Sequence, residues 1–293
     1  MVDKARRNFY RKENAFKGIA FVSTLTSILA VVVICLFIFS RGLPTIKEIG
    51  IKNFILGAKW APNANPAKFG ILPFILSSFY VTLGAVLLGV PTGIFTAVFM
   101  AKYCPKKLHS TFTAGINLMA GIPSIIYGFF GLTVVVPVIA KAINKNGLTM
   151  LAAIIILAIM ILPTVISLSQ AAINSVEKSY YEGAMALGAT KERSIFTVVL
   201  PAAKSGIISA VILGMGRAIG ETMAVILVAG GQPRMPSGLF KGVRTLTMNI
   251  ALEMGYAADL HREALIATGA VLFIFILIIN IIFVISKRRR IKE

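Results

Sequence analysis

The sequence predicts an all-α fold, a polytopic bundle of about six membrane-spanning helices, on three observations. Of its 293 residues 57% are apolar and only 14% charged, more hydrophobic material than one globular core of this length buries. The apolar residues fall into runs long enough to cross a bilayer, which takes about 20 residues as a helix. Lysine and arginine gather in short clusters between those runs, where they set topology. The formal charge of +19 would point to nucleic acid in a soluble protein; placed as it is, it points to the lipid bilayer, and no nucleic acid is expected.

Residues 1–17 are polar and basic, unlike a cleaved signal peptide, and are expected to form a cytoplasmic N-terminal segment. Spans follow near 18–40, 71–101, 111–140, 148–173, 203–229 and 264–286, within a transmembrane domain of 18–286, and a basic tail closes the chain at 287–293. Six spans place both termini on one side. That side carries 18 Lys and Arg, the other 11, and since basic loops stay inside, both termini are expected to be cytoplasmic. Cys35 and Cys104 show no metal-type spacing and read as structural residues; no metal site is expected.

Between the spans, 41–70 holds the only tryptophan, Trp60, in WAPNANPAKFG, which suits an external loop near the interface. The stretch 230–262 is also external and includes TLTMNIALEMG, too short and polar to cross, which fits a short or re-entrant helix. The expected external side as a whole, Lys141, Lys145 and Glu263 included, carries 11 basic and four acidic residues, a balance that raises local anion concentration. Pro91, Pro123, Pro137 and Pro163, with the glycine pairs Gly89/Gly93 and Gly216/Gly220, lie at membrane depth. They permit close packing or kinks; alternatively they mark broken helices lining a path, and AGIPSIIYGFFGL at 120–132 is the best candidate for that.

Two charges lie deep in a span, Arg217 and Glu221 in LGMGRAIGETMAV. Four residues apart on one helix, they would share a face and partly neutralise each other. An ionised side chain at mid-bilayer costs a few kcal/mol and calls for a reason. Either the pair pins its helix to neighbours, or Arg217 presents a cation to an anionic solute while Glu221 holds the guanidinium. A planar, permanently charged fork suits an oxyanion such as phosphate or sulfate. Thr222 and Ser124 are candidate hydroxyl donors beside it. His109 and His261 fall on opposite sides of the membrane and read as solvated loop residues, so an enzyme site is a poor reading.

The stretch YYEGAMALGATKERSIFTVVLPAAKSGI at 180–207, which overlaps the expected coupling loop 174–201, reads as a small-residue helix, a turn at Gly188, and an amphipathic helix ending at Leu200 and Pro201. Its spacing of Glu182, Gly183, Ala184, Gly188, Leu200 and Pro201 resembles the EAA loop of ABC importer permeases, with Gly183 standing for the first alanine and Val198 for isoleucine. In that family the loop forms coupling helices that seat in the ATPase subunit. The resemblance implies the ABC importer permease fold of MetI-like type.

Over nearly the whole chain FGILPFILSSFYVTLGA, AGIPSIIYGFFGL, ILPTVISLSQAAI, the EAA segment and GRAIGETMAV resemble phosphate importer permeases of the PstC type. That likeness implies a prokaryotic inner-membrane permease subunit for inorganic phosphate. It also implies three partners: a PstA-type permease, a PstB-type ATPase dimer and a PstS-type phosphate-binding protein. The chain has no GxxxxGK[ST] loop, so ATP hydrolysis would belong to the separate subunit, and no cofactor is expected. A sulfate or molybdate permease, or a non-transporting membrane sensor docking a partner through its cytoplasmic helices, remain the alternatives.

Overall fold

The structure, a computed structural model, describes residues 2–143 and 146–289. Met1 of the expected N-terminal segment and 290–293 of the expected basic tail lie outside the described residues. In chain order the elements are α1 (Val2–Ile49), α2 (Ile51–Leu56), a two-stranded antiparallel hairpin of β1 (Trp60–Ala61) and β2 (Lys68–Phe69), α3 (Leu72–Val98), α4 (Lys106–Gly121), α5 (Ser124–Phe130) and α6 (Val136–Ile143). They continue through α7 (Met150–Asn174), α8 (Lys178–Ala186), α9 (Lys191–Ser194), α10 (Leu200–Gly220), α11 (Met223–Val228), α12 (Leu246–Glu253) and α13 (Asp259–Arg289). Among the described residues six helices are long and apolar enough to cross a membrane: Phe16–Ile49, Leu72–Tyr103, Ser124–Ile143, Met150–Asn174, Lys191–Gly220 and Asp259–Ile281.

The bundle is organised around α7, whose apolar run is buried on most sides. Helix α3 packs along it at glycines: a side chain at Gly89 would meet Ile161 Cδ1 at 2.8 Å, and one at Gly93 would meet Val165 Cγ1 at 2.8 Å. These two glycines permit the close packing expected of them. Gly216 and Gly220 behave differently, since among the described residues nothing beyond their own stretch of helix lies within 4 Å of a Cβ built on either. Helix α1 packs chiefly on α13, at Gly42 against Ala267 and through an edge contact of Phe39 with Phe273 at 5.6 Å, and leaves most of its apolar surface outward.

Turns of wider π-helix occupy Phe99–Tyr103, Gly131–Val135 and Ile195–Val199, each followed within two residues by a proline: Pro105, Pro137 and Pro201. Proline lacks the N–H that an upstream carbonyl needs, and a π turn is one way the helix absorbs that loss. This corrects the expectation that the second helix of 174–201 stops at Leu200 and Pro201. The helix widens and runs on through Pro201 into α10, because proline is tolerated in the first turn after the bulge.

Two expected spans are broken. The run 111–140 divides at Ile122 and Pro123, both extended (ψ 125° and 141°), leaving α4 as a separate helix before the span at Ser124. The run 203–229 divides at Glu221 and Thr222. A window of average hydropathy cannot register such interruptions, since the residues at each break are flanked by apolar ones. The first span, conversely, extends to Ile49 instead of ending near residue 40, which shortens the following loop.

Candidate functional site

The break in the fifth span is a consequence of Gly220–Glu221–Thr222. Helix α10 ends at Gly220, Glu221 turns extended (φ −70°, ψ 130°), and α11 restarts at Met223. Glu221 then does two local jobs. Its Oε1 accepts the N–H of Ala224 at 3.1 Å, satisfying a free donor of α11's first turn, and its backbone carbonyl accepts the Thr247 hydroxyl at 3.0 Å. The expected neutralisation of Arg217 by Glu221 along one helical face is therefore corrected: the helix does not reach Glu221, and its carboxylate is turned toward α11.

Arg217 stands in the last turn of α10, where a cation suits the negative end of the helix. It is half-buried, and among the described residues it forms no hydrogen bond or ion pair. It follows exposed Leu213 on the side of α10 that Gly216 and Gly220 leave open. On α5 the Tyr127 hydroxyl donates to Met119 O at 2.7 Å. That bond spans the other helix break and satisfies a carbonyl in the last turn of α4.

The helices that follow the two breaks are packed together. Helices α5 and α11 run side by side: a Cβ at Gly128 would meet Ala224 Cα at 2.8 Å, and one at Gly131 would meet Val228 Cγ1 at 2.6 Å. Ser124, half-buried, opens α5 one turn before Gly128. Thr222, half-buried, donates to Gly220 O at 3.3 Å across the break. Arg217, Glu221 and Thr222 thus stand at one helix interruption and Ser124 just past the other, where backbone irregularity at membrane depth requires protein or water beside it. Sequence reasoning missed Thr247 and Tyr127. The available signal for Thr247 was a hydroxyl in the first turn of a short helix that begins at a Thr cap.

At the other end of α10 the expected coupling residues form a compact helix–turn–helix. Helix α8 closes with Gly188 N–H on Met185 O at 2.9 Å and Ala189 N–H on Ala184 O at 3.1 Å, and Gly188 takes φ +84°, which a residue without Cβ adopts freely. Thr190 caps α9 through Arg193 N at 3.3 Å. Glu182 and Gly183 are exposed, Ala184 and Leu200 half-buried and Pro201 exposed. Leu187, 91% exposed at the turn, with Tyr180 and Met185 beside it, makes an apolar tip facing away from the bundle.

The opposite end holds a buried polar cluster that corrects the reading of His261. Glu253, 6% exposed, receives Trp60 Nε1–H at 2.8 Å, pairs with Arg244, and lies 2.8 Å from His261 Nε2. His261 is thus a packed residue, not a solvated one, and Trp60 is buried in the apolar cluster beside it. His109 is half-buried, 3.0 Å from Gln170 Nε2.

A family model described as "Binding-protein-dependent transport system inner membrane component" matches residues 89–292. The chain is 38% identical to "Probable ABC transporter permease protein YqgH" of Bacillus subtilis, covering 98% of this chain and 95% of that one. It is 33% identical to "Phosphate transport system permease protein PstC" of Xylella fastidiosa over 92% of this chain and 87% of that one. Identity is also 33% to "Probable phosphate transport system permease protein PstC" of Methanocaldococcus jannaschii, covering 97% and 96%. Among solved structures, a bacterial ABC transporter importing the acidic polysaccharide alginate superposes with TM-score 0.61 at 18% identity, over 94% of this chain and 99% of that one. The MetNI methionine transporter in an inward-facing form gives TM-score 0.61 at 18% identity, covering 75% and 95%, so both share the fold.

Proposed function

The chain belongs to the family of binding-protein-dependent transport system inner membrane components, and we propose that it is the membrane-spanning permease subunit of an ATP-driven importer of inorganic phosphate. One observation carries the substrate class: Arg217 stands in the last turn before the break at Glu221–Thr222, and among the described residues it has no ion pair. A guanidinium so placed offers a fork of donors to an oxyanion, and in this reading Thr222 in the break and Ser124 at the start of α5 add hydroxyls. The names of the relatives at 33% identity support phosphate among oxyanions.

The side of α10 bearing Gly216, Arg217 and Gly220 faces away from the rest of the chain, as a pathway shared with a second permease of PstA type would require. In this reading the α8–α9 turn, with Glu182, Gly183, Ala184 and Gly188 ahead of Leu200 and Pro201, seats in a PstB-type ATPase dimer. The hairpin end receives a PstS-type binding protein. Both termini then lie in the cytoplasm, with 1–17 and 287–293 flanking the transmembrane domain of 18–286. Glu221, whose carboxylate caps α11, keeps the break open beside Arg217.

The test is Arg217→Ala in a reconstituted complex with its ATPase, second permease and binding protein. Labelled phosphate uptake is expected to vanish while the complex still assembles. Uptake at the wild-type rate would overturn the site, and a wild-type complex that carries sulfate or molybdate in preference to phosphate would overturn the substrate.

A further inference from the structure

Helix α12 joins the break at Glu221 to the buried cluster at the opposite end of its own length. It has eight residues, about 12 Å at 1.5 Å per residue. Near its start Thr247, 8% exposed, donates to the Glu221 carbonyl at 3.0 Å, and Leu246 N–H binds Ser78 Oγ of α3 at 3.0 Å. At its end Glu253 gathers three segments that are remote in sequence: the hairpin through Trp60, α13 through His261, and the 230–244 loop through Arg244. Arg244 also donates to Asn249 Oδ1 at 3.0 Å and to Gly231 O at 2.9 Å, which locks the loop to the middle of the same helix. Leu246, Met248 and Asn249 are all but fully buried, so the helix is held along its inner face, while Ala251 and Leu252 are exposed.

We propose that α12 is a rigid strut and Thr247 a positioning residue, transmitting displacement of the Trp60 hairpin to the Glu221 carbonyl and so to the register of Arg217. The chemistry favours this over simple packing. A carbonyl in a helix break has lost its helical partner and accepts whichever donor the surroundings supply. Here that donor comes from the one short helix whose other end is fixed to the hairpin. A close-packed, hydrogen-bonded element with both ends engaged conveys a shift, because cores switch between arrangements and do not deform smoothly. The inference rests on the permease reading above and extends it to how an external partner on the hairpin governs the pathway.

The experiment compares Thr247→Val, which keeps the shape and removes the donor, with Thr247→Ser, which restores it. Both are made in the complete complex in proteoliposomes, with ATP turnover measured without and with phosphate-loaded binding protein. Thr247→Val is expected to leave assembly and basal turnover intact and to lower the stimulation by binding protein about fivefold or more, the size of an ordinary coupling between sites. Thr247→Ser is expected to restore it. Unchanged stimulation in Thr247→Val would overturn the proposal, as would a parallel fall in assembly, basal and stimulated turnover that serine does not rescue. Trp60→Phe added to Thr247→Val is expected to lower stimulation no further than the larger single effect, and full additivity would count against one shared path. A wild-type complex stimulated by another loaded oxyanion would instead refute the phosphate reading, and the same pair of variants, run with that anion, still decides the strut.

Discussion

Arg217 and Arg244 are both guanidiniums drawn into apolar parts of this chain, and their surroundings are opposite. Arg244, its side chain 13% exposed, is held by the Glu253 carboxylate, the Asn249 amide oxygen and the Gly231 carbonyl. Arg217 stands half-buried with no hydrogen bond or ion pair among the described residues, and the nearest acid in sequence, Glu221, has been turned away to cap α11. A charge that holds structure is satisfied by its own chain, because leaving it unpaired in low dielectric costs more than the pairing returns. A charge that meets a passing solute must remain available, and a fixed carboxylate on it would compete with the anion. The fold separates the two uses by ending α10 one residue before Glu221.

The contrast breaks most readily at Glu253. Glu253→Ala leaves Arg244 buried without its counter-ion, and removing one member of a buried pair costs about 3 to 5 kcal/mol. Thermal denaturation of the purified complex should shift down sharply, with a low yield of assembled protein. A near wild-type transition would mean that the cluster is not structural and that the two arginines do not differ as argued.

Arg217→Lys sharpens the same contrast from the other side. Charge is kept while the planar fork is lost, so phosphate uptake should fall by roughly tenfold, about 1.4 kcal/mol, without loss of assembly or thermal stability. Uptake kinetics and a melting curve on the same preparation decide it. A destabilised complex would show that Arg217, like Arg244, is holding the fold.

What the residues disclosed in advance follows from range. Six apolar runs and the positive φ at Gly188 are local properties, and the helices and the turn appear where hydropathy and glycine place them. The packing of Gly89 and Gly93 against α7 was likewise implied by small residues at helical spacing. The breaks at Ile122–Pro123 and Glu221–Thr222 were hidden inside continuous hydropathy, although proline in the first and a carboxylate in the second were visible there. The four site residues were legible as polar groups at depth, but their arrangement was not. The pairing inferred from i, i+4 spacing presupposed an unbroken helix. Least legible was the cluster on Glu253, since Trp60 lies 193 residues from its partner and only tertiary structure brings them together. A carboxylate within TLTMNIALEMG was the available sign that a buried donor had to exist somewhere.

The finest division of the comparison is within the cluster itself. Trp60→Phe removes the Nε1–H donor from Glu253 and keeps an aromatic ring against Phe69, Phe74 and His261, whose centroids lie 5.7, 5.6 and 6.0 Å from that of the indole. Glu253 retains Arg244 on one oxygen and His261 on the other, so its carboxylate is not orphaned. The expected loss is then that of a single hydrogen bond to a charged group, about 1.5 to 3 kcal/mol less whatever the smaller ring recovers by relaxing, hence about 1 to 2 kcal/mol. Chemical or thermal denaturation of Trp60→Phe beside Glu253→Ala measures it. Were the tryptophan variant to lose as much as the alanine one, the ring's packing and not its donor would be what secures the hairpin to α12, and the carboxylate would be a minor part of the anchor.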